Sequence, residues 1–237
     1  MIAEAFKIFL AQPLFNALIV IYLFLPNHDL GVAMILLTIG IKVLIFPINR
    51  KAYRLQAAMA SLQPRLKMIQ EKYKSNPAEQ ARLTTELFQA EKINPLASFG
   101  PLLIQLPILL ALYQLFWKGV WDANTQLLYP FLPQPGQINP FFLNWLDLSQ
   151  PSLGLAALAG VLQFAQSTVL MSLQPTPPAA DERQAMVTKI LQKEMLFLFP
   201  LLTFFILIKM PSALGLYWSV SSLLAVAEQF WFKKHAV

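Results

Sequence analysis

Long apolar runs broken by short polar interruptions define the elements of this chain. No charge occurs from Ile93 to Trp117 or from Leu148 to Ala180, and only Lys209 interrupts Met195 to Ala227. A run at about 30–48 is apolar apart from Lys42 and ends shortly before Arg50. Each is close to the roughly 20 residues that carry a helix across a bilayer. Strands standing alone in lipid would leave backbone groups unpaired, so the runs read as helices. Met210-Pro211 follows Lys209 at once, and proline biases its predecessor away from helix. The region 191–231 therefore reads as two short spans joined by a tight turn. The expected fold is an all-α integral membrane protein with five core transmembrane helices, 29–49, 94–118, 151–173 and the pair within 191–231.

Residues 8–25 are uncharged, but Pro13 divides them. An N-terminal interfacial helix within 1–28, lying on the membrane, is preferred over a sixth span. At 50–93 the pattern changes. Leu55, Met59, Leu62, Leu66, Ile69 and Tyr73 recur at alternating spacings of four and three, a heptad seam. After Ser75-Asn76-Pro77 the residues Leu83, Leu87 and Ala90 continue at helical spacing. This predicts an antiparallel helical hairpin, with Pro64 kinking or dividing its first arm. The loop 119–150 holds Trp121, Tyr129, Phe131, Phe141, Phe142 and Trp145, a density of rings that suits the headgroup region.

Composition removes the soluble class. The 237 residues are 57% hydrophobic and 13% charged, about half the usual charge of roughly 25%. There is no cysteine and only two histidines, His28 and His235, so no metal site, thiol chemistry or catalytic triad is expected. The net charge of +6 invites a nucleic-acid reading, but its distribution argues for topology. Fourteen of the 18 basic residues fall in 50–93, in the loop 174–190 with Lys193 beside it, or in the short tail 232–237. Cytoplasmic loops concentrate Lys and Arg, which places those segments and the C-terminus in the cytoplasm and leaves no call for a specific nucleic acid.

Polar residues inside the spans form stripes. Thr38, Lys42 and Asn49 share one face, as do Asn94, Ser98 and Gln105; Gln163, Gln166 and Ser167 cluster on a third helix; Gly215, Ser219, Ser222 and Gln229 line the last. Any one stripe is explained by helix packing, in which small and hydroxyl residues allow close approach and amides bond across helices. Four stripes together, one with a lysine, point to a shared hydrophilic cavity. A lysine near the centre of a span costs roughly 2.5–3.5 kcal/mol, so it faces water or a partner. Snorkelling towards Asn49, about 10 Å along the helix, is the competing account of Lys42. Because no Asp or Glu lies deep in any span, the charge suits an anion carried in by another molecule.

Several stretches together resemble the YidC-type membrane protein insertases, the family that includes mitochondrial Oxa and chloroplast Alb relatives. They are Pro13-Leu14-Phe15-Asn16; Lys42 to Pro47; Gln56, Met59, Leu62-Gln63-Pro64 and Lys72-Tyr73; Asn94-Pro95-Leu96, Pro101-Leu102-Leu103, Gln105 and Pro107-Ile108; Trp145-Leu146-Asp147-Leu148; and Pro211 to Leu214 with Leu216-Tyr217-Trp218. Each is weak alone, and their order along the chain is specific. The resemblance implies a membrane insertase and chaperone of a bacterial-type plasma (inner) membrane, not an enzyme and without cofactor. A basic groove residue, here Lys42, would receive the acidic or polar outer segment of a nascent membrane protein. Thr38, Asn49, Gln105, Gln163, Gln166, Ser219 and Ser222 would line that groove. Arg54, Arg65, Lys67 and Lys72 of the hairpin would make contact with partners, among which the family suggests the bilayer, the ribosome and the Sec translocon. The family usually has arginine at the Lys42 position and often asparagine at that of Ser222, and a counterpart of the large outer domain of some bacterial members is not expected. Arginine keeps its charge when desolvated, whereas lysine holds it best where water reaches it, which argues for a wet groove. A small solute transporter or channel is the alternative, weakened by the lack of deep carboxylates and of a visible repeat. A structural subunit of a larger complex is a third reading.

Overall fold

The computed structural model describes residues 2–94, 100–117, 120, 127–173 and 182–234. Ser98, Lys118, Trp121, the loop stretch 174–181 and residues 235–237 lie outside the described residues. Among those described, the architecture is almost wholly helical: α1 (Ile2–Phe6), α2 (Gln12–Phe24), α3 (Leu30–Ser61), α4 (Gln63–Lys72), α5 (Pro77–Ala90), α6 (Gly100–Trp117), α7 (Leu153–Leu173), α8 (Glu182–Leu207) and α9 (Ser212–Lys234). A two-stranded antiparallel ladder, β1 (Phe141–Phe142) with β2 (Leu146–Asp147), pairs Phe141 with Asp147 and Phe142 with Leu146.

Prolines shape the helices in three ways. Pro13 has no N–H to offer the preceding turn, and the helix accommodates it by a local change of geometry rather than by stopping. The turn before it, Lys7–Ala11, widens to π geometry, and the Gln12 N–H reaches the Lys7 carbonyl. The expected division at Pro13 is thus a local widening, and Glu4–Phe24 is long and apolar enough to cross a membrane. Pro64 does divide the hairpin's first arm: α3 ends at Ser61, and α4 restarts with Pro64 in its first turn. Asn76 caps α5 by accepting the Glu79 N–H at 3.2 Å, with Pro77 next.

Two boundaries differ from the expected ones. α3 runs 32 residues without a stop near Asn49, about 48 Å of helix. The end of an apolar run is a change of composition, and Arg50 to Ala60 contains good helix formers with no glycine or proline. For the same reason α8 begins at Glu182, well before its apolar part, Leu196–Leu207. Leu30–Ser61 and Leu153–Met171 are also long and apolar enough to span, while Leu103–Trp117 is shorter.

The chain forms two compact units. The first comprises Met1–Ile45, Leu102–Gln163 and Pro200–Leu224. Its core gathers Phe15, Leu18, Ile19, Met34, Leu112, Phe116, Leu148, Leu214 and Tyr217, all buried. The outward faces of its helices carry exposed Val43, Leu106, Leu110, Val161 and Phe205, the surface that lipid contact requires. The second comprises Phe46–Pro101, Phe164–Phe199 and Ala225–Val237. Within it, Phe232 stacks on Phe46 (5.3 Å between centroids) and lies 4.6 Å from the Tyr53 ring.

Candidate functional site

Six of the eight candidate groove residues fall in the first unit: Thr38, Lys42, Gln105, Gln163, Ser219 and Ser222. Asn49 and Gln166 belong to the second. Thr38 is buried, and its hydroxyl donates to the Met34 carbonyl one turn back at 2.7 Å. Ser219 does the same to Gly215 at 2.8 Å. Both hydroxyls are therefore satisfied within their own helices, and the small side chains serve close packing. At Gly215 a Cβ would stand only 3.2 Å from the Leu155 Cβ, so α9 and α7 approach closely there.

The two glutamines bond across helices. Gln105 of α6 donates to the Tyr217 hydroxyl of α9 at 2.5 Å. Gln163 of α7 accepts from the Trp218 indole N–H at 2.7 Å and, more weakly, from the Ser222 hydroxyl at 3.4 Å. Lys42 is half-buried, one turn beyond buried Thr38 and between exposed Gly40 and Val43. It is the one formally charged residue among the six.

In the second unit, Asn49 is buried and donates to the Glu228 carboxylate at 2.9 Å, and Gln166 is half-buried. The hairpin residues Arg54, Arg65, Lys67 and Lys72 are all exposed. Arg65 bridges to Glu91 at 2.6 Å, and the Lys72 ammonium sits 5.5 Å from the Tyr73 ring centroid. Arg82 pairs with Glu79 at 2.5 Å and with Glu86 at 2.7 Å. The hydrogen bond from Arg82 holds the Glu79 carboxyl below its usual pKa. No group of three or more acidic, histidine or cysteine side chains suited to a metal occurs among the described residues.

Three positions matter more than the stripes indicated. Tyr217 and Trp218 entered only as part of a motif, yet each anchors a polar contact between helices. Asn16 is buried, and its amide donates to the carbonyls of Leu127 and Gln12, each at 2.7 Å, while its oxygen accepts the Tyr129 N–H at 2.8 Å. An asparagine inside an apolar helix was the available signal, since such a side chain requires partners.

The 60Kd inner membrane protein family matches residues 21–237. The chain is 31% identical over 243 aligned residues to the membrane protein insertase YidC of Syntrophobacter fumaroxidans, covering 96% of this chain and 38% of that protein. It is 34% identical over 205 residues to the membrane protein insertase YidC of Francisella tularensis subsp. novicida, covering 86% of this chain and 32% of that protein. The same figures hold for Francisella tularensis subsp. tularensis. The chain thus spans about a third of the length of these curated relatives.

Proposed function

The chain belongs to the 60Kd inner membrane protein family, that of the YidC insertases, and from that membership we propose that it inserts newly made membrane proteins into a bacterial inner membrane and assists their folding. Five spans, with the hairpin and the C-terminus in the cytoplasm, form its working body. The observation that carries the reading is Lys42, a half-buried lysine on the polar face of the apolar first part of α3.

The mechanism is electrostatic and needs no bond-making. An incoming segment with an acidic or polar outer tail meets a barrier because its carboxylate must leave water. Two unit charges 4 Å apart attract by about 4 kcal/mol at an effective dielectric of 20, the same order as that cost. Lys42 receives the carboxylate and lowers the barrier, while the apolar part of the segment moves into lipid along exposed aliphatic faces. Gln105, Gln163 and Ser222 hold the helices that frame Lys42, and Thr38 and Ser219 let those helices pack closely. The exposed basic residues of the hairpin make early contact with substrate or with anionic lipid, and the ribosome and the Sec translocon are candidate partners.

Reconstitution tests this reading. The protein is placed in liposomes and a single-span substrate with an acidic outer tail is synthesised in a cell-free system. Protease-protected, membrane-inserted product that depends on the protein supports the proposal. Solute flux without insertion would replace it with a transporter or channel. A cysteine at position 42, unique because the chain has none, is expected to react with a water-soluble maleimide.

A further inference from the structure

The β1–β2 hairpin ends in an apolar tip whose exposure has no role in the function proposed above. Trp145 and Leu143 are 71% and 58% exposed, and Phe131, stacked on Tyr129, is 78% exposed. No charged residue occurs from 127 to 146, unlike an ordinary water-facing loop. The turn is closed by the Trp145 N–H on the Phe142 carbonyl, with φ of +50° at Leu143 and +62° at Asn144. That mirror-image turn matches the twist of the strands. Asparagine tolerates such a φ, whereas leucine is strained there, so the backbone holds a large apolar side chain outward against its own preference.

The mount is bonded on both strands and its location is defined. One oxygen of Asp29 caps α3 by accepting the Val32 N–H at 2.9 Å, and the other accepts the Leu143 N–H at 2.6 Å. Gly31 lies so close to Phe142 that a Cβ there would fall 2.1 Å from a ring carbon. At the other strand, the Ser212 hydroxyl donates to the Asp147 carbonyl at 2.9 Å, and the Ala213 N–H to the Leu148 carbonyl at 3.1 Å. The hairpin is therefore fixed to the first residues of both α3 and α9. If those helices cross the bilayer, their ends mark a membrane boundary, the level at which tryptophan settles.

We propose that the Leu143–Asn144–Trp145 tip, with Phe131, is a lipid anchor. It inserts into the headgroup and upper acyl region of the leaflet at the N-terminal ends of α3 and α9 and fixes the depth of the first unit. The proposal rests on the reading that these helices span. A polar rim would be expected if a protein partner covered the tip. The run 127–146 is uncharged, and the two nearby carboxylates, Asp29 and Asp147, are taken up by hydrogen bonds within the protein, which fits lipid better.

Single-cysteine variants Trp145→Cys and Leu143→Cys of the full chain test it. Each is labelled with an environment-sensitive nitrobenzoxadiazole and reconstituted in phosphatidylcholine–phosphatidylglycerol vesicles carrying bromine near the headgroup or near the chain ends. Both labels are expected to emit at shorter wavelength than in water and to be quenched more by shallow than by deep bromine. Emission characteristic of water overturns the anchor. Shifted emission that neither lipid quenches also overturns it, because protein then covers the tip. A label at Val161→Cys, exposed on α7, separates the two levels. If lipid quenches it while the tip stays wet, only the anchor fails; if neither is quenched, the spanning reading fails with it.

Discussion

The first unit and the hairpin arm of the second are each held by different physics. In the first, bonds join residues far apart in sequence and most of them are shielded. Asn16 reaches Leu127 and Tyr129, the Tyr22 hydroxyl accepts the Asn139 N–H at 3.0 Å, and Gln105 reaches Tyr217. In the hairpin, Arg65 of α4 reaches Glu91 just past α5, and the Arg82 pairs lie within α5 itself, all at least partly exposed. Buried hydrogen bonds are costly to break because the stranded group has no water to turn to, whereas exposed ion pairs contribute little. The contrast assigns roles. On the proposed function, the first unit would be a scaffold that holds Lys42 at fixed geometry, and the second would carry an arm whose exposed surface meets partners.

The largest effect is expected where the scaffold presents its charge. Lys42→Ala should lower insertion of single-span substrates with acidic outer tails by about tenfold or more, since losing about 1.4 kcal/mol of attraction in the transition state is already tenfold. Lys42→Arg should preserve insertion, because charge and reach are kept. The comparison with substrates that have neutral tails, measured by protease protection in liposomes, isolates the electrostatic part. Equal insertion by wild type and Lys42→Ala for acidic tails would remove the charge from the mechanism.

Next come changes that strike the scaffold itself. Asn16→Ala strands the Leu127 carbonyl and the Tyr129 N–H, at about 1–3 kcal/mol for each buried group left unpaired. Gly31→Ala drives a Cβ into Phe142, an overpacking that costs about 1–3 kcal/mol. Both should lower the melting temperature in detergent. A melting temperature unchanged in both would mean that the first unit is not the rigid member of the pair.

How much of this was legible in the sequence depends on the range of the interaction. The turn at Ser75-Asn76-Pro77 and the break at Pro64 are local events: a cap, a missing N–H, a ring clash. They can be read from neighbours. The continuity of α3 through Asn49 was not legible from hydropathy, because a bilayer boundary changes which side chains are favoured without unpairing any backbone bond. Partner choice was least legible. The face shared by Thr38 and Lys42 follows from helical period, but nothing in the spacing says that Thr38 bonds its own helix or that Gln163 meets Trp218. Those depend on which helices lie side by side. Leu143 was hidden for a different reason, since leucine is a poor signal for a positive-φ turn and only Asn144 hinted at one.

Gln163 decides between two readings of the polar stripes inside the scaffold. If its work is to hold α7 against α9, Gln163→Leu strands the Trp218 N–H and lowers stability by about 1–2 kcal/mol, while the folded fraction still inserts acidic-tail substrates at the wild-type rate. If it lines the path of the substrate, the rate falls and stability changes little. The satisfied geometry at 2.7 Å favours the first outcome. Melting and insertion measured on one preparation separate them.

The smallest effect belongs to the arm. Glu79 has its carboxyl pKa lowered, first by the hydrogen bond from Arg82 and also by that residue's charge. A carboxyl whose folded-state pKa is depressed adds stability that is present above its unfolded value, about 4.3, and is lost as pH falls through the folded value. The pair is exposed, so solvent and salt screen it. Glu79→Gln should therefore leave the melting temperature near neutral pH unchanged within error, and should flatten only a slight acid-side slope. Raising the ionic strength should erase the difference between variant and wild type. A large loss at neutral pH would show that the hairpin depends on this pair as the first unit depends on Asn16, and the division into scaffold and arm would fail.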